Sequence, residues 1–300
     1  PAETLRRLRS FGYLAGIKVE KKAAFGRGDD LKTLLPIQNK LRTANQLFNM
    51  RKYREAGELY EQVIASKADD IGSYIHLAET SYFLRQPQAA VDVLRRGLQQ
   101  KPDSMELKSK LGVFLTEINR NEEAVALLKE VLADDPADAG NWNYLGVAYF
   151  RGKNFALAAD AYAKALALDP ENAQACSNLG ALYLARFVAA RDEALRLKAV
   201  EAFDRAIALD ARSVAAYNGR GAALQFAGQL EAALRDWRKV LELQPDFTDA
   251  YFNIAIALMG AGRKAEANGF LSRLQGQFIR LLSSRDRESL RRLLAASGGQ

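Results

Sequence analysis

Between Ala139 and Asn172 the residues Trp142, Leu145, Gly146 and Tyr149 fall at i, i+3, i+4 and i+7, one stripe of an α-helix. Ala158, Tyr162 and Ala165 repeat that spacing and predict a second helix. Asn154 lies in the short turn between the two. Asp169-Pro170 ends the second helix, because proline disfavours helical geometry in the residue before it. The predicted element is a helical hairpin. Gly146 and Ala158 are expected to mark where its helices cross, a place at which a larger side chain would push the backbones apart.

The same pattern recurs along most of the chain. A small residue returns at Ala44, Ala78, Gly112, Gly146, Gly180, Gly221 and Ala255, and alanine at Ala56, Ala90, Ala124, Ala158, Ala199, Ala233 and Ala267. Every step is 34 residues except one of 41, and in both series the long step falls in the fifth unit, so seven residues are inserted between Gly180 and Ala199. Pro102, Pro136, Pro170 and Pro245 fit the same ruler. The period predicts seven units, 37–70, 71–104, 105–138, 139–172, 173–213 with the insertion, 214–247 and a truncated 248–275. They are flanked by a basic helix and linker over 1–36 and a capping helix and tail over 276–300. A fixed internal period argues for one elongated array of nearest-neighbour interfaces rather than separate globules.

Two segments depart from the ruler. Leu184 to Ala202 is rich in Ala, Leu, Arg and Glu and holds no Gly or Pro. Lengthening each helix of the fifth hairpin by one turn absorbs about seven residues at about 3.6 per turn and preserves the faces presented. A longer, protruding hairpin is therefore expected, with Phe187 and Val188 near its tip either in its own seam or against a partner. At the C-terminus, Ser283 with Asp286 caps a predicted helix over Ser284–Ala296. Its Leu290, Leu293 and Leu294 would cover the last hairpin while Arg285, Arg287, Arg291 and Arg292 face water.

The formal charge of +7 changes this picture little. Residues 1–36 hold eight Lys/Arg and four Asp/Glu, residues 276–300 hold five and two, and residues 37–275 hold thirty of each. The array is neutral, whereas a nucleic-acid reader lines a face with Lys and Arg; no nucleic-acid partner is expected. No run approaches the roughly 18 apolar residues of a membrane span, so no membrane insertion is expected either. Cys176 is the only cysteine and His76 the only histidine, which leaves no disulfide, zinc set or catalytic triad. Cys176 reads as a small packed residue where other units carry Trp142, Tyr217 or Tyr251, and His76 as a partly exposed groove residue. No catalytic residue, metal or cofactor is expected. Pro1 in place of a methionine reads as the start of a fragment, with any targeting signal upstream.

A small residue at the eighth place, an aromatic or Leu at the eleventh, Ala at the twentieth, an aromatic or Leu at the twenty-fourth and Pro at the thirty-second resemble the tetratricopeptide repeat. The resemblance covers about 240 of the 300 residues, with Ala68 replacing the proline in the first unit. It implies an all-α fold, a right-handed superhelical α-solenoid whose first helices line a concave groove, closed by a C-terminal capping helix. The family's groove positions then fall on Phe48, His76, Tyr82, Phe83, Lys110, Asn143, Tyr144, Phe150, Arg151, Asn178, Asn218, Phe226, Phe252 and Asn253. Asn143, Asn178, Asn218 and Asn253 form either a ladder for the backbone of an extended peptide or bridges between neighbouring helices. Of the family's carboxylate clamp only Asn45 and Lys110 are in place, beside Leu41, His76 and Glu106, which disfavours a chaperone-tail adaptor.

The segment Leu5-Arg6-Arg7-Leu8-Arg9-Ser10-Phe11-Gly12-Tyr13-Leu14 is a short basic amphipathic stretch that also resembles the end of sulfatase catalytic domains. Gly28-Asp29-Asp30-Leu31-Lys32 resembles the junction at which large bacterial sulfatase-like hydrolases continue into tetratricopeptide repeats. The nucleophile motif, Cys or Ser followed by x-Pro-x-Arg, is absent, since Cys176 precedes Ser-Asn-Leu-Gly. The resemblance implies a non-catalytic tail, exported from the cytoplasm with its parent. Its expected partner is a peptide or protein segment in the groove, its own upstream catalytic domain, or a second copy. The alternative is a structural spacer or oligomerisation arm with no groove ligand.

Overall fold

The computed structural model describes residues 31–67 and 70–298. The basic stretch at 5–14 therefore lies outside the described residues. Packing divides the chain into two compact units, one ending at Arg85 and the other running from Gln86. The first contains α1 (Leu31–Asn49), α2 (Tyr53–Ser66) and α3 (Ile71–Phe83). Helix α1 packs on α2 and α2 on α3. Helix α1 begins at Leu31 and carries Pro36 inside it, so the end of the stretch assigned to the linker is helical.

The second unit runs through α4 (Pro87–Gln100), α5 (Met105–Glu117), α6 (Asn121–Asp134), α7 (Ala139–Arg151), α8 (Phe155–Leu168), α9 (Ala173–Ala190) and α10 (Glu193–Leu209). It continues with α11 (Val214–Phe226), α12 (Leu230–Leu243), α13 (Thr248–Gly260), α14 (Lys264–Arg273) and α15 (Ser284–Ser297). The helices pack in consecutive antiparallel pairs, and the first helices of neighbouring hairpins, α5, α7, α9, α11 and α13, touch in a row. The described residues contain no strand.

Local chemistry repeats with the period. First helices open on side-chain caps: Asp70, Ser104, Asp138, Asn172 and Ser213 each accept the backbone N–H three residues on. The turn within each hairpin places one residue in the left-handed region, at Arg51, Arg85, Asn119, Lys153, Gly228 and Gly262. The seven alanines at the twentieth place are fully buried.

The small eighth place works differently from the sequence expectation. A Cβ at Gly146 would stand 2.4 Å from the Tyr162 ring, one at Gly112 2.8 Å from Leu128, and one at Gly221 2.7 Å from the Trp237 indole. The space is filled by a side chain of the partner helix, not by its backbone.

The fifth hairpin is lengthened, but unevenly. Helix α9 has 18 residues against 13 in α7, and α10 has 17 against 14 in α8. The turn falls at Arg191, with φ 57° and ψ 26°, and Asp192 caps α10 through the Ala194 N–H at 3.0 Å. Phe187 is buried, with its ring 5.3 Å from Phe226 of the next hairpin.

At the C-terminal end, a wide turn over Leu274–Phe278 and a tight one over Ile279–Leu281 lead into α15. Ser283 accepts the Asp286 N–H at 3.1 Å and donates to its carboxylate at 2.6 Å. Leu290 is buried with Leu274 and Leu282 against Tyr251 and Leu258, while Arg285, Arg287, Arg291 and Arg292 are exposed. The last hairpin thus ends under a helix with a solvated outer face. No helix among the described residues is long and apolar enough to cross a membrane.

Candidate interaction face

In the first compact unit, four residues expected in the groove come together. Phe83 stacks on Tyr53 at 4.7 Å, Phe48 meets Phe83 edge-on at 5.8 Å, and Tyr82 lies 6.0 Å from Phe83. His76 sits 5.8 Å from Phe48 and stacks on Tyr60 at 5.5 Å, with Nδ1 3.3 Å from a Glu79 carboxylate oxygen. Tyr60 donates its hydroxyl to Asn45 at 2.7 Å, and burial pushes its pKa up to about 12. Asn45, the residue a carboxylate clamp would use, is spent inside the hairpin.

In the second unit the asparagines pair with each other. Asn178 Nδ2 donates to Asn143 Oδ1 at 2.9 Å, and Asn253 Nδ2 donates to Asn218 Oδ1 at 3.1 Å. Both pairs are 35 residues apart, one more than the period, so the fifth place of one unit meets the sixth place of the next. The ladder of four is two separate bridges.

The remaining expected residues divide. Arg151 donates to the Thr116 carbonyl at 3.0 Å and to Glu117 at 2.8 Å, tying α7 to α5. Phe150 tilts against Phe155 of its own hairpin at 5.9 Å, and Phe252 packs on the C-terminal core. Lys110 and Tyr144 are half-buried on the row of first helices.

Between the fifth and sixth hairpins the same stagger brings Ser177 opposite Gly219, and no amide bridge forms. A Cβ on Gly219 would stand 2.2 Å from the Phe203 ring, and one on Gly180 2.8 Å from it. Phe203 of α10 thereby becomes an aromatic floor under both helices. Above it lies an open cleft of about 610 Å³, walled by Leu184, Ala185 and Val188 on α9 and by Ala215, Asn218 and Phe226 on α11. Val188 and Phe226 remain 44% and 48% exposed, and Ile256 on the adjoining α13 56%, so an apolar strip runs along this end of the row.

A charged group also links the two hairpins. Arg220 on α11 grips Asp236 of α12 with two bonds of 2.8 and 2.7 Å and reaches Asp204 of α10 at 2.6 Å. The bonds to Asp236 hold the guanidinium pKa above its ordinary value. Behind α9, Cys176 is buried, and burial pushes its thiol pKa up. A recess of about 250 Å³ lies beside it, lined by Tyr183, Lys198 and Arg205. Among the described residues no three His, Cys, Asp or Glu side chains gather as a metal site would require.

A family model described as tetratricopeptide repeat matches residues 77–139 and 115–173, and one described as TPR repeat matches 227–262. Over these residues the chain carries tetratricopeptide repeats. A solved tetratricopeptide repeat protein from Parabacteroides merdae superposes over 88% of this chain and 99% of its own, with a TM-score of 0.64 at 14% identity. Among curated proteins, the chain is similar to the BBSome complex member BBS4 homolog of Drosophila melanogaster, 22% identical over 44% of this chain. It is also similar to cellulose synthase operon protein C of Pseudomonas fluorescens, 26% identical over 49% of this chain. It spans 34% and 12% of the lengths of these two relatives.

For the tetratricopeptide units, then, a generic list of groove places predicts which row a residue joins but not what it meets there. Gly219, Phe203, Val188 and Arg220 escaped that list. The stagger of neighbouring first helices, applied to Ser177, points to Gly219; nothing in the sequence points to Phe203 reaching beneath it.

Proposed function

We propose that this module binds an extended protein segment in the cleft between its fifth and sixth repeats. The tetratricopeptide fold is that of a protein-interaction module. The cleft is the observation that supports a specific seat: its floor is an aromatic ring, its walls are apolar, and the amide atoms not used in the two bridges, Asn178 Oδ1 and Asn218 Nδ2, are an acceptor and a donor of the kind that pairs with peptide backbone. Selection of displayed random peptides against the whole chain, followed by the cleft-filling variant Ala185→Trp, tests this. Peptides that bind the unaltered chain should lose binding to a folded Ala185→Trp variant by at least about tenfold, or about 1.4 kcal/mol. Retained binding would move the site elsewhere.

The context of the module is proposed on the resemblance of residues 1–36 alone. By that resemblance it is the non-catalytic tail of a sulfatase-like hydrolase, and the segment it binds belongs to the upstream catalytic domain, a second copy or a separate protein. A catalytic domain encoded upstream of Pro1, with Cys or Ser followed by x-Pro-x-Arg, is the outcome that this context requires.

A further inference from the structure

The cleft contains no charged residue, but its mouth does. Arg191, in the left-handed turn of the lengthened hairpin, holds its guanidinium 5.7 Å from the Phe226 ring centroid and 5.9 Å from that of Phe187. Arg151, Arg196, Arg220 and Arg263 each grip a carboxylate. No ion pair among the described residues includes Arg191. The two rings, set edge to face, flank the side chain beside the Phe226 end of the cleft, and Arg191 itself is exposed to water. A planar cation so placed is suited to a carboxylate arriving along the cleft.

The spacing sets the rest. Ten residues of α9 separate Asn178 from Val188, about 15 Å at about 1.5 Å per residue, and the Arg191 guanidinium reaches back to 5.9 Å from the ring of the adjacent Phe187. An extended chain covers that distance in about four or five residues. At the near end it meets the two amides; in the middle it passes over Phe203 and Leu184, which take a large apolar side chain; at the far end it reaches the guanidinium. The seven inserted residues provide both the added wall and the cation. Turn residues recur every 34 residues from Arg51 to Lys153 and from Gly228 to Gly262, whereas Arg191 falls 38 after Lys153 and Gly228 37 after Arg191.

We infer that the cleft selects an extended peptide with a bulky apolar side chain and, about four or five residues from the position held by the amides, a carboxylate bound by Arg191. The carboxylate is that of an Asp or Glu side chain or of the peptide's own C-terminus. The inference rests on the cleft reading above and adds to it a charge at a fixed distance.

The test is an array of synthetic eight-residue peptides with one Leu or Phe and one Asp or Glu at every offset, made with free and with amidated C-termini and probed with the whole chain. Bound peptides should share one acid offset, and Asp→Asn or Glu→Gln in a bound peptide should weaken it about three- to tenfold. Arg191→Asn keeps a residue that tolerates the left-handed turn, so it removes charge without imposing strain. It should weaken acid-bearing peptides by the same factor, leave their amide counterparts unchanged, and flatten the salt dependence of binding. If peptides bind and Ala185→Trp abolishes them, yet neither the acid nor Arg191 matters, the charge selection is wrong while the cleft stands. If Ala185→Trp leaves the array pattern intact, both fail together.

Discussion

The interface between the fourth and fifth repeats and that between the fifth and sixth are built on one stagger and come out opposite. At the first, Asn143 and Asn178 meet and close the inner row with an amide bond, as Asn218 and Asn253 do between the sixth and seventh. At the second, Ser177 faces a glycine, an aromatic ring fills the gap from below, and a cleft opens above it. Near this open interface Arg220 of α11 grips Asp236 within its own hairpin and reaches across the joint to Asp204 of α10. The inner wall of a repeat array can thus differ from joint to joint while the stagger stays the same.

Breaking the buried ion pair inside the sixth hairpin should have the largest effect. Asp236 is 6% exposed, so Arg220→Met leaves a carboxylate buried without its cation, at a cost of about 3–5 kcal/mol. Chemical denaturation of the whole chain reads this as a lower midpoint. Replacing the pair together, Arg220→Met with Asp236→Leu, should recover most of the loss. A single variant within about 1 kcal/mol of the parent would mean that apolar packing alone holds the two helices of the sixth hairpin together.

A smaller effect is expected from closing the cleft from within. Gly219→Ala drives a methyl group to 2.2 Å from Phe203, and overpacking of this kind costs about 1–3 kcal/mol. Gly269→Ala on α14, where a Cβ meets nothing within 4 Å, should instead stabilise by about 0.5–1 kcal/mol. Equal effects at the two glycines would show that Phe203 moves aside freely and that the floor is soft. Circular dichroism melts of the two variants distinguish these cases.

These positions also show how far the sequence could be read. The alanines at the twentieth place were legible because all seven are buried and each must accept the same kind of neighbour. The turn at Arg191 was hidden, since no glycine or proline marks it: a non-glycine residue takes the left-handed region there, as Arg51, Arg85 and Lys153 do elsewhere. The asparagines were found but their partners were not. The amide pairs across neighbouring first helices run at 35 residues while the sequence repeats at 34, so an asparagine's partner is not its own equivalent. Reach is the other missing quantity: Tyr162, Phe203 and Trp237 fill holes left by glycines on a different helix.

The finest comparison lies between the two amide bridges themselves. Asn143 is 2% exposed, so Asn178→Ala strands a buried carbonyl and should cost about 1–3 kcal/mol. Asn218 is half-buried and can turn to water when Asn253→Ala removes its partner, which limits the loss to about 0.5–1 kcal/mol. Peptide binding should rank the same way but for a separate reason: Asn178 borders the cleft and Asn253 does not. Asn253→Ala should therefore leave the affinity for cleft-bound peptides unchanged even as stability falls slightly, while Asn178→Ala lowers both. Were Asn253→Ala to weaken the same peptides several-fold, the bound segment would extend past Phe226 onto the Ile256 strip, and the asparagines would act as one recognition row after all.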